Sequence, residues 1–247
     1  MKILIIRPDA LGDVVLTLPM INALKDQMPD AQIYYLCSAY TRPILETHPS
    51  ITGIILDDFE KGENRGQFLS FLNKIRSYHF DVAIHCYNEL PYALLTWRAG
   101  IPIRIGDKLK VGPNIFYNYR VIQGFRSFFQ HEADLNYRLI ERLGLHVPSE
   151  PEYRLPDPSA PDGAPPLGKG RILSKPYIIV HPGLGRGNGN IIWPETKYRE
   201  LLLHLSKLGK TVVITGGVAE KDRNERIGQG IAGLINLTAK TTLPELI

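Results

Sequence analysis

The segment Lys2-Ile3-Leu4-Ile5-Ile6-Arg7 places aliphatic side chains at consecutive positions, where a half-solvated strand would alternate apolar with polar. A strand of this kind needs cover on both faces of its sheet. Helices on both faces in turn mean crossover connections and parallel strands. Pro8-Asp9-Ala10-Leu11-Gly12 breaks the run, and Val14 to Met28 then carries apolar residues at helical spacing (Val14, Val15, Leu18, Ile21, Leu24, Met28). The spacing predicts one helix over 14–28. The loop before it lies at the carboxyl end of the first strand, the edge where open α/β sheets bind ligands. Gly12 would let a ligand approach the backbone, and Asp13 either caps the helix or turns its carboxylate into the crevice.

The alternation continues along the first half. Strands are expected over 33–37, 51–56, 81–85 and 103–105, with helices over 42–48, 67–78 and 92–98 and a closing helix over 131–143 ended by Gly144. This pattern implies a mostly parallel, doubly wound sheet. Between Pro148 and Pro176 eight prolines and three glycines fall in 29 residues without a sustained apolar period, which reads as a linker. A second α/β unit follows: a strand over 177–180, a turn at His181-Pro182-Gly183, a helix over 194–208 with proline at its start and Gly209 after it, and a strand over 211–215. The Gly216-Gly217 loop then leads to a helix over 219–231 and a strand over 234–237. Thr242-Leu243-Pro244-Glu245 looks like another helix start, and the sequence ends at Ile247. Three strands make a thin parallel sheet and a helix of a few residues gains little cooperative stability, so the second domain is expected to be incomplete. The expected division is 1–147, a linker over 148–176, and 177–247.

The formal net charge of +4, from 29 basic and 25 acidic residues, is too mild to demand a nucleic-acid partner. It favours an anionic substrate or an anionic membrane surface. Cys37 and Cys86 lie in apolar strand-like runs without metal or redox spacing and read as buried thiols in a reducing compartment. His85 and His181 lack carboxylate or cysteine ligands at recognisable spacing, so no metal site is expected. With no signal-peptide pattern and no apolar run of spanning length, the expected location is the cytoplasm. A dehydrogenase is disfavoured, because the first turn lacks Gly-x-Gly-x-x-Gly and the acidic residue expected beyond the next strand.

The segment Arg7-Pro8-Asp9-Ala10-Leu11-Gly12-Asp13-Val14-Val15-Leu16-Thr17-Leu18-Pro19 closely resembles the opening motif of glycosyltransferase family 9, the heptosyltransferases of lipopolysaccharide core assembly. Further matches follow in order: Phe80-Asp81-Val82-Ala83-Ile84-His85, Arg104-Ile105-Gly106, His131-Glu132 leading into Leu143-Gly144-Leu145, His181-Pro182-Gly183, Trp193-Pro194 and Thr215-Gly216-Gly217. The resemblance implies a GT-B fold of two Rossmann-like domains, the acceptor on the first and a nucleotide sugar, typically ADP-heptose, on the second. It also implies metal-independent, inverting transfer with no cofactor beyond the donor. The absence of any Asp-x-Asp pair agrees with that.

By this resemblance Asp13 is the general base, with Gly12 and Arg7 beside it as substrate-binding residues. His181 and Gly183, with the glycine-rich stretch 185–190, could cradle the nucleotide diphosphate on exposed amides; Gly216 and Gly217 are expected as substrate-binding residues on the next loop, where Glu220 either contacts the ribose or only charges the first helical turn. Family members often carry a lysine two positions before the Trp-Pro pair. Here Ile191 stands there, so Arg186 in the glycine-rich stretch 185–190 is the cation expected to neutralise the leaving diphosphate. A later Asp-Ser-Gly-Pro-x-His-type motif of the family is not found, consistent with a C-terminally truncated chain, and the alternative is a non-catalytic remnant that binds glycolipid or a partner. Finally, eight basic residues between Arg98 and Arg142 (Arg98, Arg104, Lys108, Lys110, Arg120, Arg126, Arg138, Arg142) are interleaved with Phe116, Tyr117, Tyr119, Phe125, Phe128 and Phe129. They form either snorkelling cover over a core or a surface for a phosphorylated glycolipid, with peripheral contact at the inner membrane.

Overall fold

The computed structural model describes residues 1–46, 48–57, 65–123, 131–153, 176–183 and 193–243. The chain divides into two compact units, Met1–Pro156 and Asp157–Ile247. Most of the expected linker, the loop carrying Arg186 and the helix start near Pro244 lie outside the described residues.

In the first unit six strands, β1 (Lys2–Ile6), β2 (Gln32–Cys37), β3 (Gly53–Leu56), β4 (Val82–His85), β5 (Ile103–Asp107) and β6 (Tyr119–Val121), form one sheet in the order β3-β2-β1-β4-β5-β6. Every pairing is parallel. The connecting helices are α1 (Leu11–Val15), α2 (Leu18–Gln27), α3 (Arg42–Leu45), α4 (Arg65–Ser77), α5 (Leu90–Arg98) and α6 (Glu132–Glu141). Strand β1 is covered on both faces, as its composition demands. Ile3 and Ile5 pack with Leu18, Ile21 and Leu24 of α2 and Leu139 and Ile140 of α6, while Leu4 and Ile6 pack with Phe71, Leu72 and Ile75 of α4 and Leu95 of α5. All four β1 side chains are fully buried. Each contributes about 1.5–3 kcal/mol of gross transfer free energy.

The helix expected over 14–28 is two helices, and the first starts earlier, at Leu11. Proline 19 explains the break: it has no N–H for the Val15 carbonyl, and its ring crowds that carbonyl. Thr17 donates from both its N–H, at 3.0 Å, and its hydroxyl, at 2.7 Å, to the Val14 carbonyl at the end of α1. Two elements had no clear sequence signal. A 3₁₀ helix spans Pro113–Phe116, and β6 is a three-residue edge strand of mixed aromatic and basic composition.

The second unit contains β7 (Tyr177–Val180), β8 (Thr211–Ile214) and β9 (Leu234–Asn236), parallel and in that order, with α7 (Glu195–Lys207) and α8 (Lys221–Gly228). Val180, Leu202, Val212, Ile214, Ile227 and Ile231 form its core. Pro194 is the N-cap of α7 rather than its first helical residue. The helix expected over 219–231 is a 3₁₀ turn, Val218–Glu220, followed by the shorter α8. Among the described residues no helix is long and apolar enough to cross a membrane.

Candidate active site

The first unit's strand order turns at β1, where the chain builds first toward β3 and later toward β6. The crevice between the carboxyl ends of β1 and β4 is therefore its topological switch point. Asp13 lies on the loop-helix junction that follows β1. It is the third residue of α1, whose N-cap is Ala10, so Asp13 is not the cap. An anionic side chain in the first turn is still favoured by the helix dipole. Gly12 is exposed, and a Cβ there would meet nothing within 4 Å, so open space lies above this turn.

Arg7 organises the site. It follows β1 directly and is buried, with 6% of its surface exposed. Its Nη2 lies 3.0 Å from Asp13 Oδ1, its Nε 2.8 Å from Asp9 Oδ1 and its Nη1 3.4 Å from Glu132 Oε1. Nη1 also donates to the Cys86 carbonyl at 2.6 Å, tying β1 to the end of β4 across the switch point. The contact with Asp9 is ionic, without hydrogen-bond alignment. One guanidinium therefore meets three carboxylates, and its positive charge leaves the group net negative. Arg7, expected from the sequence to bind substrate, has its guanidinium engaged by these carboxylates. It is a fork that holds Asp13, whose side chain keeps 38% exposure. Burial pushes the Asp9 carboxyl up from 3.8 to about 6, against the pull of Arg7 and with the help of Asp13.

Asp9 and Glu132 belong to this group although only their motifs, not their roles, were visible in the sequence. Glu132 opens α6, where the His131 ring accepts the Ala133 N–H at 3.3 Å. The His131-Glu132 pair thus caps a helix and delivers a carboxylate to Arg7.

In the second unit the expected nucleotide residues meet at the carboxyl edge of the sheet. His181 follows β7, and its Nδ1 lies 3.0 Å from Thr215 Oγ1 at the end of β8, while its Nε2 lies 4.0 Å from Glu220 Oε2. Glu220 accepts the Gly217 N–H at 2.7 Å. A Cβ on Gly183 would overlap the Glu220 carboxylate, and one on Gly216 would come within 2.6 Å of Asn224 Nδ2. A side chain at either position would therefore have to displace Glu220 or Asn224. Arg223 secures the loop from below, donating to the Pro182 carbonyl at 3.0 Å and the Trp193 carbonyl at 3.1 Å. Among the described residues no group of three or more His, Cys, Asp or Glu side chains could hold a metal ion.

The basic stretch resolves into individual tasks. Arg104 donates to the Ile101 and Phe116 carbonyls, Arg120 to that of Tyr117, Arg138 to that of Ile122 and Arg142 to that of Arg120. These guanidinium groups tie loops together. Lys108 and Lys110 are exposed, Lys110 pairing with Glu89 at 2.9 Å. Phe125, Arg126, Phe128 and Phe129 lie outside the described residues.

Comparison with known proteins places the family and the fold. A putative glycosyltransferase of Haemophilus influenzae is 28% identical over 244 residues, covering 95% of this chain and 68% of that protein. Lipopolysaccharide heptosyltransferase 2 of Escherichia coli K12 is 24% identical over 257 residues, covering 100% of this chain and 74% of the relative. The solved structure of the E. coli heptosyltransferase WaaC with ADP superposes with a TM-score of 0.76 at 20% identity, covering 96% of this chain and 74% of that one, which shows a shared fold. The family profile described as glycosyltransferase family 9 (heptosyltransferase) matches residues 68–247, beginning after the Arg7–Pro19 segment and resting on the later motifs. The chain belongs to glycosyltransferase family 9, the heptosyltransferase family.

Proposed function

We propose that the chain transfers a heptose from ADP-heptose to a lipopolysaccharide-core-type acceptor, inverting the anomeric carbon and using no metal. Asp13 accepts the proton of the acceptor hydroxyl as that oxygen attacks the anomeric carbon. The bond from that carbon to the diphosphate breaks, and its electron pair leaves with ADP. A single displacement of this kind inverts the centre. The observation that carries the reading is the Arg7–Asp13 pair, with Oδ1 held at 3.0 Å on a side chain that remains 38% exposed at the switch-point edge. A base must be both oriented and reachable, and Asp13 meets both conditions.

In this reading Arg7 is a positioning residue, supported from behind by Asp9 and Glu132. The open space over Gly12 admits the acceptor, and helical glycine, which costs about 0.5–1 kcal/mol relative to alanine, is retained for that access. His181, Gly183, Gly216 and Gly217 receive the diphosphate, Glu220 the ribose, and Arg186 neutralises the leaving group. The test is to incubate the chain with ADP-heptose and a lipopolysaccharide-core acceptor, follow ADP release, and determine the product's anomeric configuration by NMR. Inverted product at a rate unchanged by a chelator is expected. Retained configuration, a rate abolished by chelation, or binding of the acceptor without ADP release would overturn the proposal, the last favouring a glycolipid-binding role.

A further inference from the structure

The Arg7 guanidinium divides one of its edges between two acids. Nε and Nη2 form the edge that takes both oxygens of a single carboxylate in a bidentate pair. Here Asp9 Oδ1 stands 2.8 Å from Nε and Asp13 Oδ1 3.0 Å from Nη2, so the two carboxyl groups lie side by side. Asp9 Oδ1 is buried and, among the described residues, accepts no hydrogen bond. A charged carboxylate in that position is costly, because Arg7 offers one charge to three acids and its Nε–H is not aligned on the oxygen. Behind burial and the pull of Arg7, Asp13 acts on the Asp9 carboxyl both by its charge and by a side-chain hydrogen bond. An ionised carboxylate only accepts, so two carboxyl groups bond to each other only with a proton between them. The other titratable groups around the pair do not provide one. Burial pushes the Cys86 thiol up to about 12 and raises the Tyr87 phenol, so both keep their protons, while Glu132 meets the third guanidinium nitrogen, Nη1, and the His131 ring beside it caps α6. Exposure separates the partners, since the Asp13 side chain keeps 38% and that of Asp9 only 21%. Asp13 stands toward solvent and Asp9 behind it.

We infer that Asp9 and Asp13 hold one proton between them, and that Asp9, by releasing it, strengthens Asp13 as the base that takes the proton of the acceptor hydroxyl. The inference rests on the reading of Asp13 as that base, and it makes Asp9 a positioning residue that acts through Asp13 without touching substrate. While the proton is in place, the Asp9 hydroxyl donates to the Asp13 carboxylate and weakens its hold on an incoming hydroxyl. Loss of the proton to solvent leaves two carboxylates on one guanidinium edge, and their repulsion favours taking a proton back. That proton comes from the acceptor hydroxyl as its oxygen bonds to the anomeric carbon; the bond from that carbon to the diphosphate breaks, and its electron pair leaves with ADP. The pair ends the turnover with one proton and returns it to solvent before the next. The Asp9 carboxyl, pushed up to about 6 by burial with the help of Asp13, brings this release close to neutral pH, where a general base works best.

The experiment has two arms on the unaltered chain, Asp9→Asn and Asp13→Asn. The first is the pH dependence of kcat/KM with ADP-heptose and one lipopolysaccharide-core acceptor, over about pH 4.5 to 8.5, which reports the ionisations of the free enzyme. The unaltered chain is expected to lose activity as pH falls through about 6. In Asp9→Asn that acid limb should move down by about one pH unit or more, as removal of a neighbouring negative charge requires. Its rate at high pH should fall roughly three- to tenfold, a small part of what a positioned base contributes. A merely structural Asp9 would lower the melting temperature and leave the limb in place. The second arm needs no turnover: infrared difference spectra of the protein carrying isotope-labelled aspartate follow carboxyl ionisation directly. A carboxyl ionising near pH 6 is expected in the unaltered chain, absent in Asp9→Asn and shifted to lower pH in Asp13→Asn. No such step, or one that Asp13→Asn leaves unmoved, overturns the shared proton. An acid limb unmoved in Asp9→Asn overturns its role in the reaction. Failure of the underlying reading looks different, because Asp13→Asn would then turn over like the unaltered chain.

Discussion

Arg7 shows how much depends on one side chain. A lysine could keep the charge but not the fork that reaches Asp9, Asp13, Glu132 and the Cys86 carbonyl together. Arg7→Lys is expected to lower kcat roughly 10- to 10²-fold by loosening Asp13, with ADP affinity unchanged in calorimetric titration. Loss of the buried charged hydrogen bond should also cost about 1.5–3 kcal/mol of stability. A lowered melting temperature with an unaltered kcat would leave Arg7 only a structural role. Asp9 gives a second test with a definite sign. Its folded carboxyl titrates near 6, above its ordinary 3.8, so between these values the folded state holds the proton more strongly. Ionisation of Asp9 therefore erodes stability as pH rises through that window and leaves it lower above pH 6. Asp9→Asn should stabilise the protein by about 1–2 kcal/mol at pH 7.5, after discounting for partial solvent screening, and by much less near pH 4.5. An advantage equal at both pH values would contradict the shift. His85 works in the opposite direction, since burial pushes its imidazole down to about 3 and it enters the fold neutral. Its contribution is complete above pH 6.5 and is lost as pH falls toward 3, so only the difference between the Asp9 variant and the parent isolates Asp9.

At the scale of elements, legibility followed periodicity. β1, β2, β4 and β7 read as mainly apolar runs, and their observed bounds match within a residue or two. Helix ends were less visible because local chemistry overrode the apolar pattern. Pro19 split one apolar stripe into α1 and α2, and Pro194 stands outside α7. β6 and the 3₁₀ helix before it escaped notice because their stability comes from packing: Tyr117 lies across β5 with its ring 4.6 Å from that of His85. The same packing explains Gly106 in the Arg104-Ile105-Gly106 match, since a Cβ there would run into the Tyr117 ring. Gly106→Ala is expected to destabilise the first unit by about 1–3 kcal/mol through overpacking, measured by urea denaturation. A neutral effect would mean that the 3₁₀ segment shifts freely. For the candidate site, the position of Asp13 at the loop-helix junction after β1 was legible from the motif. The partnership of Arg7 with Glu132 was not, since 125 positions separate them and the packing of α6 beside α2 brings them together.

The proposed chemistry divides between two units, the Asp13 group on one and the His181–Glu220 group on the other. Each group sits at the carboxyl edge of a parallel sheet, where the backbone geometry of α/β folds offers amides and helix starts to a ligand. The family profile begins at residue 68, so membership rests on residues beyond the opening motif, while the reading of Asp13 rests on the opening motif and its geometry. The two functions should separate experimentally. Glu220→Gln is expected to weaken ADP binding by roughly tenfold, as loss of one charged hydrogen bond would, whereas substitutions at Asp13 should leave ADP affinity intact. Equal ADP affinity in the Glu220 variant would remove Glu220 from the nucleotide site. The most direct test of the proposed reaction is the turnover of Asp13→Asn with ADP-heptose and a lipopolysaccharide-core acceptor, beside the unaltered chain. A loss of about 10²- to 10⁴-fold in kcat, with melting temperature and ADP affinity unchanged, is the predicted result. Turnover retained within about twofold, a loss smaller than any positioned base would cause, would contradict a catalytic Asp13.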